Sequence, residues 1–197
     1  MELESYSGFL TDELIIKAIL KGKIIITPFD KSKIKPEDIE TWPAQLRPSS
    51  LILTLDNSYA IIDPRVRMLK AAQSIGDHLL WHNIDEEGLL LSPGECIHAR
   101  TKERIGLDND IMGLIDGIKQ NAEKFITVHT TSAIWNPGDG GPKDPRGPYK
   151  MLLEMRNDGP KPVLFKAGDP ICRLVFYKFP SPVKRPYFKI KYAVTKR

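Results

Sequence analysis

The chain has 197 residues, and its 29 Lys and Arg residues against 25 Asp and Glu residues give a formal net charge of +4 at neutral pH. This length is enough for one domain with a real hydrophobic core, so no metal or disulfide is needed to hold the fold together. Its two cysteines, Cys96 and Cys172, lack the spacing of a zinc site or of a secreted disulfide framework, and we expect both to be core residues in a reducing compartment.

The first predicted element is one short amphipathic helix. Thr11 followed by Asp12 and Glu13 is typical of a helix start, apolar residues then recur with helical spacing, and Gly22 ends the pattern. No later apolar run is long enough to cross a bilayer, and the chain opens with acidic residues. We therefore expect a cytoplasmic protein with no membrane partner.

The rest of the chain is a series of short β-type runs separated by Pro, Gly, Asn or Asp, which predicts an all-β sandwich or barrel. We expect one domain over residues 1–197. Within it, residues 139–150 are rich in Gly and Pro and predict a mobile loop. The strand-like runs are residues 23–28, 50–63, 89–101, 110–116, 125–135, 150–158, 162–168 and 171–179.

The end of the chain, residues 180–197, is a basic tail with six Lys and Arg residues between 184 and 197 and no intervening acid. Such a tail suits phosphate-bearing ligands. A solvated end that only aids solubility explains the same residues equally well.

Several enzyme classes are excluded by missing motifs. The sequence has no Walker A loop, no GxGxxG segment opening a helix, no GxSxG elbow and no HExxH. It also lacks the His or Cys, Glu and PCxxC pattern with which zinc deaminases hold a metal-activated water. We therefore expect no zinc.

Five ordered segments carry motifs that occur together in one superfamily. They are ITPFD at 26–30, RPSSLILTLDNSY at 47–59, and the longer stretches 89–110, 113–138 and 152–179. In this order they resemble the dCTP deaminases and the related dUTPases, most of all the dCTP deaminases. The resemblance implies a dUTPase-like distorted β-barrel or jelly roll with one or two short helices, assembled as a homotrimer with sites between subunits.

The resemblance also implies a catalytic residue. Glu154 stands where the deaminases have the general base that takes a proton from the water attacking C4 of cytosine. By strand alternation, Glu154 shares one face with Leu152 and Arg156. The alternative is a surface glutamate, or one that is ion-paired, beside Arg156.

The phosphate-binding segment of the family, GRSS, aligns with residues 117–120 and is much altered. Ile118 replaces its arginine, and Glu123 replaces a second arginine that follows. Lys119, Gln120 and Asn121 could still contact phosphates. Four arginines elsewhere are candidate replacements: Arg100, Arg146, Arg156 and Arg173.

Further nucleotide contacts follow from the same resemblance. Asn136 replaces the family's aspartate. An amide can bind the sugar hydroxyl but cannot act as a base. We therefore expect a deaminase reaction rather than a dUTPase reaction. Thr131 and Ser132 lie in the preceding nucleotide-binding run. Residues 185–187, with Lys191 and Tyr192, resemble the start of the tail that closes over nucleotide.

The resemblance as a whole implies a hydrolase that converts dCTP to dUTP and ammonia without zinc, with Mg²⁺ bound through the nucleotide phosphates. The alternative is a catalytically degenerate relative that acts as a nucleotide-binding or partner-binding trimer, which Ile118, Glu123 and Asn136 favour. We do not expect a nucleic-acid partner, since the positive charge is modest and aromatic residues are not interleaved with it.

Overall fold

The computed structural model describes residues 2–71, 73–128 and 132–190. Across them, strands dominate and two helices are present, which confirms the mainly β prediction. The elements are β1 (Gly8–Phe9), α1 (Asp12–Leu20), β2 (Ile24–Thr27), β3 (Leu46–Arg47), β4 (Ser50–Ile62), β5 (Leu79–Asn83), β6 (Leu89–Leu91), β7 (Cys96–Leu107), β8 (Ile111–Gly117), α2 (Lys119–Ala122), β9 (Ile126–Val128), β10 (Ile134–Trp135), β11 (Tyr149–Asn157), β12 (Val163–Phe165) and β13 (Pro170–Lys178).

Helix α1 forms where the sequence predicts it. Thr11 is its N-cap, and Asp12 and Glu13 lie in the first turn, where they complement the helix dipole. Gly22 follows the helix at a φ of +71°, a left-handed conformation that glycine adopts without strain. Among the described residues, no helix combines the length and apolar character needed to span a bilayer.

The sheet curls into a half-barrel because β4 runs through both of its halves. Residues 50–54 of β4 pair with β13, and residues 55–62 pair with β7 and β5. The main strand order is β10-β8-β13-β4-β7-β11-β9, and the pairings within it are antiparallel. Strands β7 and β11 therefore lie side by side near one end of this order.

Alternate side chains of these strands fill the core. Leu51, Leu53 and Leu55 of β4 are fully buried, as are Met151 and Leu153 of β11. Burial of such side chains contributes roughly 1.5–3 kcal/mol each to stability. The residues between them face outward, so on β11 the same alternation that builds the core also presents Lys150, Leu152, Glu154 and Arg156.

The two cysteines differ in burial. Cys172 is buried on β13, and the loss of water around the thiol raises its pKa to about 12. Cys96 is exposed, because it begins β7 on the outward face, directly opposite Arg156 of β11. The prediction that both cysteines are core residues is wrong for Cys96.

The ladder between β7 and β11 contains one irregularity. Lys150 pairs with Arg104 and Leu152 pairs with Arg100, so four residues of β7 cover the span of two on β11. The backbone N–H of Met151 has no regular partner there and donates instead to the Thr101 hydroxyl at 2.9 Å.

The buried Thr101 hydroxyl in turn donates to the Glu103 carbonyl oxygen at 2.7 Å. The Glu103 carboxylate is also buried, and it accepts hydrogen bonds from the backbone N–H and the hydroxyl of Thr54 at 2.9 and 2.8 Å and from Gln45 Nε2 at 2.8 Å. These bonds satisfy the polar groups that the irregular ladder would otherwise leave buried and unpaired.

We expect Thr101→Val to lower the free energy of unfolding by about 1–3 kcal/mol, because it leaves the Met151 N–H buried without an acceptor. Urea titration followed by circular dichroism measures this. The matched control is Thr27→Val on the exposed face of β2, which should be nearly neutral. Equal stabilities of the two variants would contradict this role of the Thr101 hydroxyl.

Candidate active site

A pocket of about 630 Å³ opens beside the outer face of the β7–β11 ladder. Three residues that the resemblance singles out, Glu154, Asn136 and Ser132, lie on its wall. The structure thus brings the expected base and two expected nucleotide contacts into one cavity.

Glu154 is placed by strand alternation. Its neighbours Leu153 and Met155 are buried in the core, whereas Glu154 is half-buried and points to the outer face with Leu152. Arg156 forms its ion pair with Asp158, at 2.8 Å between Nε and Oδ1. Asp158 is thus the ion-pair partner that the structure shows for Arg156.

The residue opposite Glu154 in the ladder is His98, which the sequence analysis missed. Directly opposed residues of antiparallel strands share a face, so His98 and Glu154 lie on the same face of the sheet. Its Nδ1 is buried and has no hydrogen-bond partner among the described residues. Only the strand register reveals this neighbour, and no motif predicts it.

Three aromatic residues form an apolar part of the wall: Trp135, Tyr149 and Tyr187. The rings of Trp135 and Tyr149 are 4.9 Å apart between centroids. Tyr187 is held by its backbone N–H, which donates to the Pro137 carbonyl at 3.0 Å. Of the tail-like residues 185–187, Tyr187 thus reaches the pocket. Together with Trp135 and Tyr149 it provides flat apolar surfaces on which a planar base can stack.

Cationic side chains form another part of the pocket wall. Arg100, Arg104 and Lys150 line the pocket, but Lys150 is neutralised by the buried Asp56, at 2.6 Å between Nζ and Oδ2. The guanidinium carbon of Arg100 lies 3.6 Å from the centroid of the Trp81 ring. Of the four candidate replacement arginines, Arg100 is therefore the one on this wall.

In the segment 139–150, which its composition predicts to be a mobile loop, several polar side chains make buried contacts. Asp139 and Asp144 are buried within it, and Arg146 binds both, with Nη2 3.1 Å from Asp139 Oδ1 and 2.6 Å from Asp144 Oδ2. The Tyr149 hydroxyl also donates to Asp139. These contacts give the segment a defined conformation against the pocket, where Asp139 is part of the wall.

Its glycines are needed for close packing. A Cβ on Gly141 would lie 1.9 Å from the Leu107 carbonyl oxygen, and one on Gly106 would lie 1.9 Å from that of Gly140. The glycines of the segment therefore allow its backbone to pack directly on β7. Composition alone does not distinguish this from flexibility.

The pKa values of the two buried carboxyl groups, Asp139 and Asp144, are shifted in opposite directions. Hydrogen bonds from Arg146 lower the pKa of Asp144 to about 2, whereas burial raises the pKa of Asp139 despite its bonds to Tyr149 and Arg146. Asp144 is ionised at neutral pH, and its side chain is fully buried. Its ion pair with Arg146 therefore stabilises the conformation of the segment.

The altered phosphate loop lies elsewhere on the chain. Lys119 and Gln120 line a separate cleft of about 520 Å³ together with Arg47 and Arg173. Asn121 is buried, and its side-chain amide donates to the Ile171 carbonyl at 3.1 Å. Within one chain, these three loop residues are thus not in the pocket with Glu154.

Three of the expected nucleotide contacts, Thr131, Lys191 and Tyr192, lie outside the described residues. Among the residues that are described, no group of three or more His, Cys, Asp or Glu side chains is arranged to hold a metal ion.

Comparisons with known proteins identify the family of the chain. A family model described as dCTP deaminase-like matches residues 9–179. The chain belongs to the dCTP deaminase-like family. The expected relationship to the dCTP deaminase and dUTPase superfamily is thereby confirmed.

Two curated relatives of this family member show how similar it is to named enzymes. It is 33% identical to a dCTP deaminase of Thermomicrobium roseum over 187 residues, covering 90% of this chain and 83% of the relative. It is 31% identical to a dUMP-forming dCTP deaminase of Dictyoglomus thermophilum over 190 residues, covering 91% of this chain and 85% of the relative.

A solved structure supports the dUTPase-like fold. The crystal structure of 2′-deoxycytidine 5′-triphosphate deaminase from Agrobacterium tumefaciens superposes with a TM-score of 0.61 at 16% identity. The match covers 87% of this chain but only 48% of that one, so the chain spans about half the length of this neighbour. At this identity, the likeness concerns the fold alone.

We expect Arg146→Gln to lower the free energy of unfolding at pH 7 by about 1–3 kcal/mol, because it leaves Asp144 buried without its cation. A carboxyl whose pKa falls from 3.8 unfolded to about 2 folded stabilises the protein above pH 4. The difference between variant and wild type should therefore shrink as the pH falls from about 4 towards 2.

The control for this prediction is Arg65→Gln. Arg65 forms a pair of the same i, i+2 spacing with Asp63, but its side chain is 83% exposed, and exposed pairs contribute little. Chemical denaturation at several pH values compares the two. A difference for Arg146→Gln that stays constant from pH 7 to pH 2 would argue against the Asp144 pairing.

Proposed function

We propose that this protein hydrolyses dCTP to dUTP and ammonia, with Glu154 as the general base. Deoxynucleotide metabolism of the dCTP deaminase kind is what its family membership establishes. The observation that carries the finer proposal is the position of Glu154, on the wall of a pocket that also presents aromatic surfaces and arginines.

In the proposed reaction, the Glu154 carboxylate takes a proton from a water molecule as its oxygen attacks C4 of cytosine. Glu154 passes this proton to N3 of the ring, then takes the proton of the new C4 hydroxyl and passes it to the exocyclic nitrogen. The C4–N bond breaks, ammonia leaves, and the ring is uracil. A carboxylate in this role works best when it lies within hydrogen-bond reach of both the water and the leaving group. A half-buried position on a rigid strand suits that requirement.

Asn136 indicates whether the product is dUTP or dUMP. Its amide can bind the deoxyribose hydroxyl but cannot accept a proton from a water that attacks a phosphate. We therefore propose dUTP as the product, although one of the two relatives described above is a dUMP-forming enzyme. Formation of dUMP by the wild-type protein would overturn this part of the proposal.

We further propose that the complete site lies between subunits of a homotrimer. Lys119 and Gln120 lie in a cleft separate from the Glu154 pocket, so they can reach a nucleotide there only from a neighbouring copy. Mg²⁺ would then be bound through the triphosphate, since such an ion is usually held by substrate phosphates with few protein ligands. No step of the reaction requires zinc.

One observation favours the second candidate, a nucleotide-binding trimer without catalysis. The Lys119 ammonium lies 3.5 Å from the Glu123 carboxylate, so the altered loop contributes little net positive charge to a phosphate. Weak binding of the triphosphate would leave cytosine poorly positioned. The degenerate relative therefore stays the rival proposal.

Chromatography of dCTP incubated with purified protein and Mg²⁺ separates these possibilities. We expect dUTP and ammonia in equal amounts, with no dUMP. Unchanged dCTP at high protein concentration would support the binding protein over the enzyme.

We expect Glu154→Gln to lower the deamination rate by at least about 100-fold, because the amide cannot take a proton from water. Binding of dCTP should persist within a few-fold, which calorimetry on the variant measures. Glu86→Gln, at an exposed site between β5 and β6, should keep full activity. Turnover by Glu154→Gln at the wild-type rate would remove Glu154 from the mechanism.

A further inference from the structure

The altered loop cannot provide the charge that a triphosphate needs. Ile118 is apolar and buried, and Lys119 faces Glu123. Arg173, which lies beside the loop, is ion-paired with Asp116. Lys119 and Arg173 are thus paired with carboxylates of the same chain, whereas Arg47, the third cation of this cleft, donates to the Ala44 and Leu46 carbonyl oxygens.

The other candidate arginines are compensated as well. Arg146 is held by Asp144 and Asp139, and Arg156 is held by Asp158. Neither guanidinium is available without breaking an ion pair. Both serve local structure.

Arg100 and Arg104 differ from all of these. Both lie on β7, and both line the Glu154 pocket. Among the described residues, neither forms an ion pair with a carboxylate, in contrast to the neighbouring Lys150 and Arg146. The pocket therefore contains two positive charges that the described part of the chain leaves uncompensated.

The register places both guanidinium groups on the face that carries Glu154. Arg100 is opposite Leu152, two residues from Glu154, and Arg104 is opposite Lys150. Arg100 and Arg104 flank the irregularity of the ladder, where four residues of β7 cover the span of two on β11. Their Cα atoms therefore lie closer together than the roughly 13 Å that four residues of a regular strand would span. An elongated polyphosphate can contact two groups at such a spacing.

Arg100 is also preorganised. Its guanidinium lies over the Trp81 ring at 3.6 Å, a stacking contact that fixes the plane of the group and leaves the N–H groups at its edge free. Such an edge binds two phosphoryl oxygens at once. Arg104 is exposed, so it can adjust to the rest of the chain of phosphates.

We propose that Arg100 and Arg104 form the triphosphate-binding site of this protein, in the same subunit as Glu154. They would take over the charge neutralisation that the altered loop has lost. The inference rests on the proposed function, because it assumes that the nucleotide occupies the Glu154 pocket. It resolves the main objection to that function, which is the loss of the loop arginines.

Calorimetric titration with inorganic triphosphate tests this site without the base. We expect Arg100→Gln and Arg104→Gln each to weaken binding about tenfold, as for loss of a charged hydrogen bond. Arg156→Gln is the control on the neighbouring strand and should bind like the wild type. Circular dichroism melts should show that all three variants are folded.

Two results would overturn the inference: unchanged binding by both pocket variants, or a loss confined to Lys119→Gln. The dCTP assay separates this failure from failure of the proposed function. If the wild type forms dUTP and both variants keep its KM, the arginine site is wrong and the deaminase stands. If the wild type forms no dUTP but binds triphosphate through Arg100 and Arg104, the site stands and the deaminase falls.

Discussion

The pairing of β7 with β11 is the constraint on which the candidate site depends. Side chains alternate along a strand, so a slip of one residue would bury Glu154 and expose Met155. The irregularity in this ladder adds two residues, which preserves the alternation. The hydrogen bonds of Thr101 and Glu103 hold that irregularity in place, so the chemistry of the outer face rests on polar groups buried beneath it.

If Arg100 and Arg104 bind the triphosphate as we propose, the same ladder makes the family's chemistry compatible with an altered phosphate loop. The loop carries an apolar residue and an ion pair where the family has arginines. Arg100 and Arg104, however, lie on the pocket wall and belong to β7, a strand with neighbours on both sides. A positive site on a rigid strand needs less ordering on binding than one on a loop. The loss of a motif therefore does not by itself indicate the loss of the function.

Much of the fold could be predicted from the sequence, because helix start signals, turn residues and alternating apolar positions are local. The face that carries Glu154 followed from the same alternation. Arg100 and Arg104 could not be assigned to the pocket, and His98 could not be placed opposite Glu154, since these positions depend on register with a distant strand. The packing of segment 139–150 on β7 could not be predicted either, because composition does not distinguish glycines that permit close backbone packing from glycines in a mobile loop.

The most direct test of this account is a crystal structure of the Glu154→Gln variant with dCTP and Mg²⁺. The account predicts that C4 of cytosine lies beside residue 154, and that the phosphates lie within hydrogen-bond distance of Arg100 and Arg104 of the same subunit. A nucleotide bound in the cleft of Lys119 and Arg173, with no nucleotide against residue 154, would contradict it.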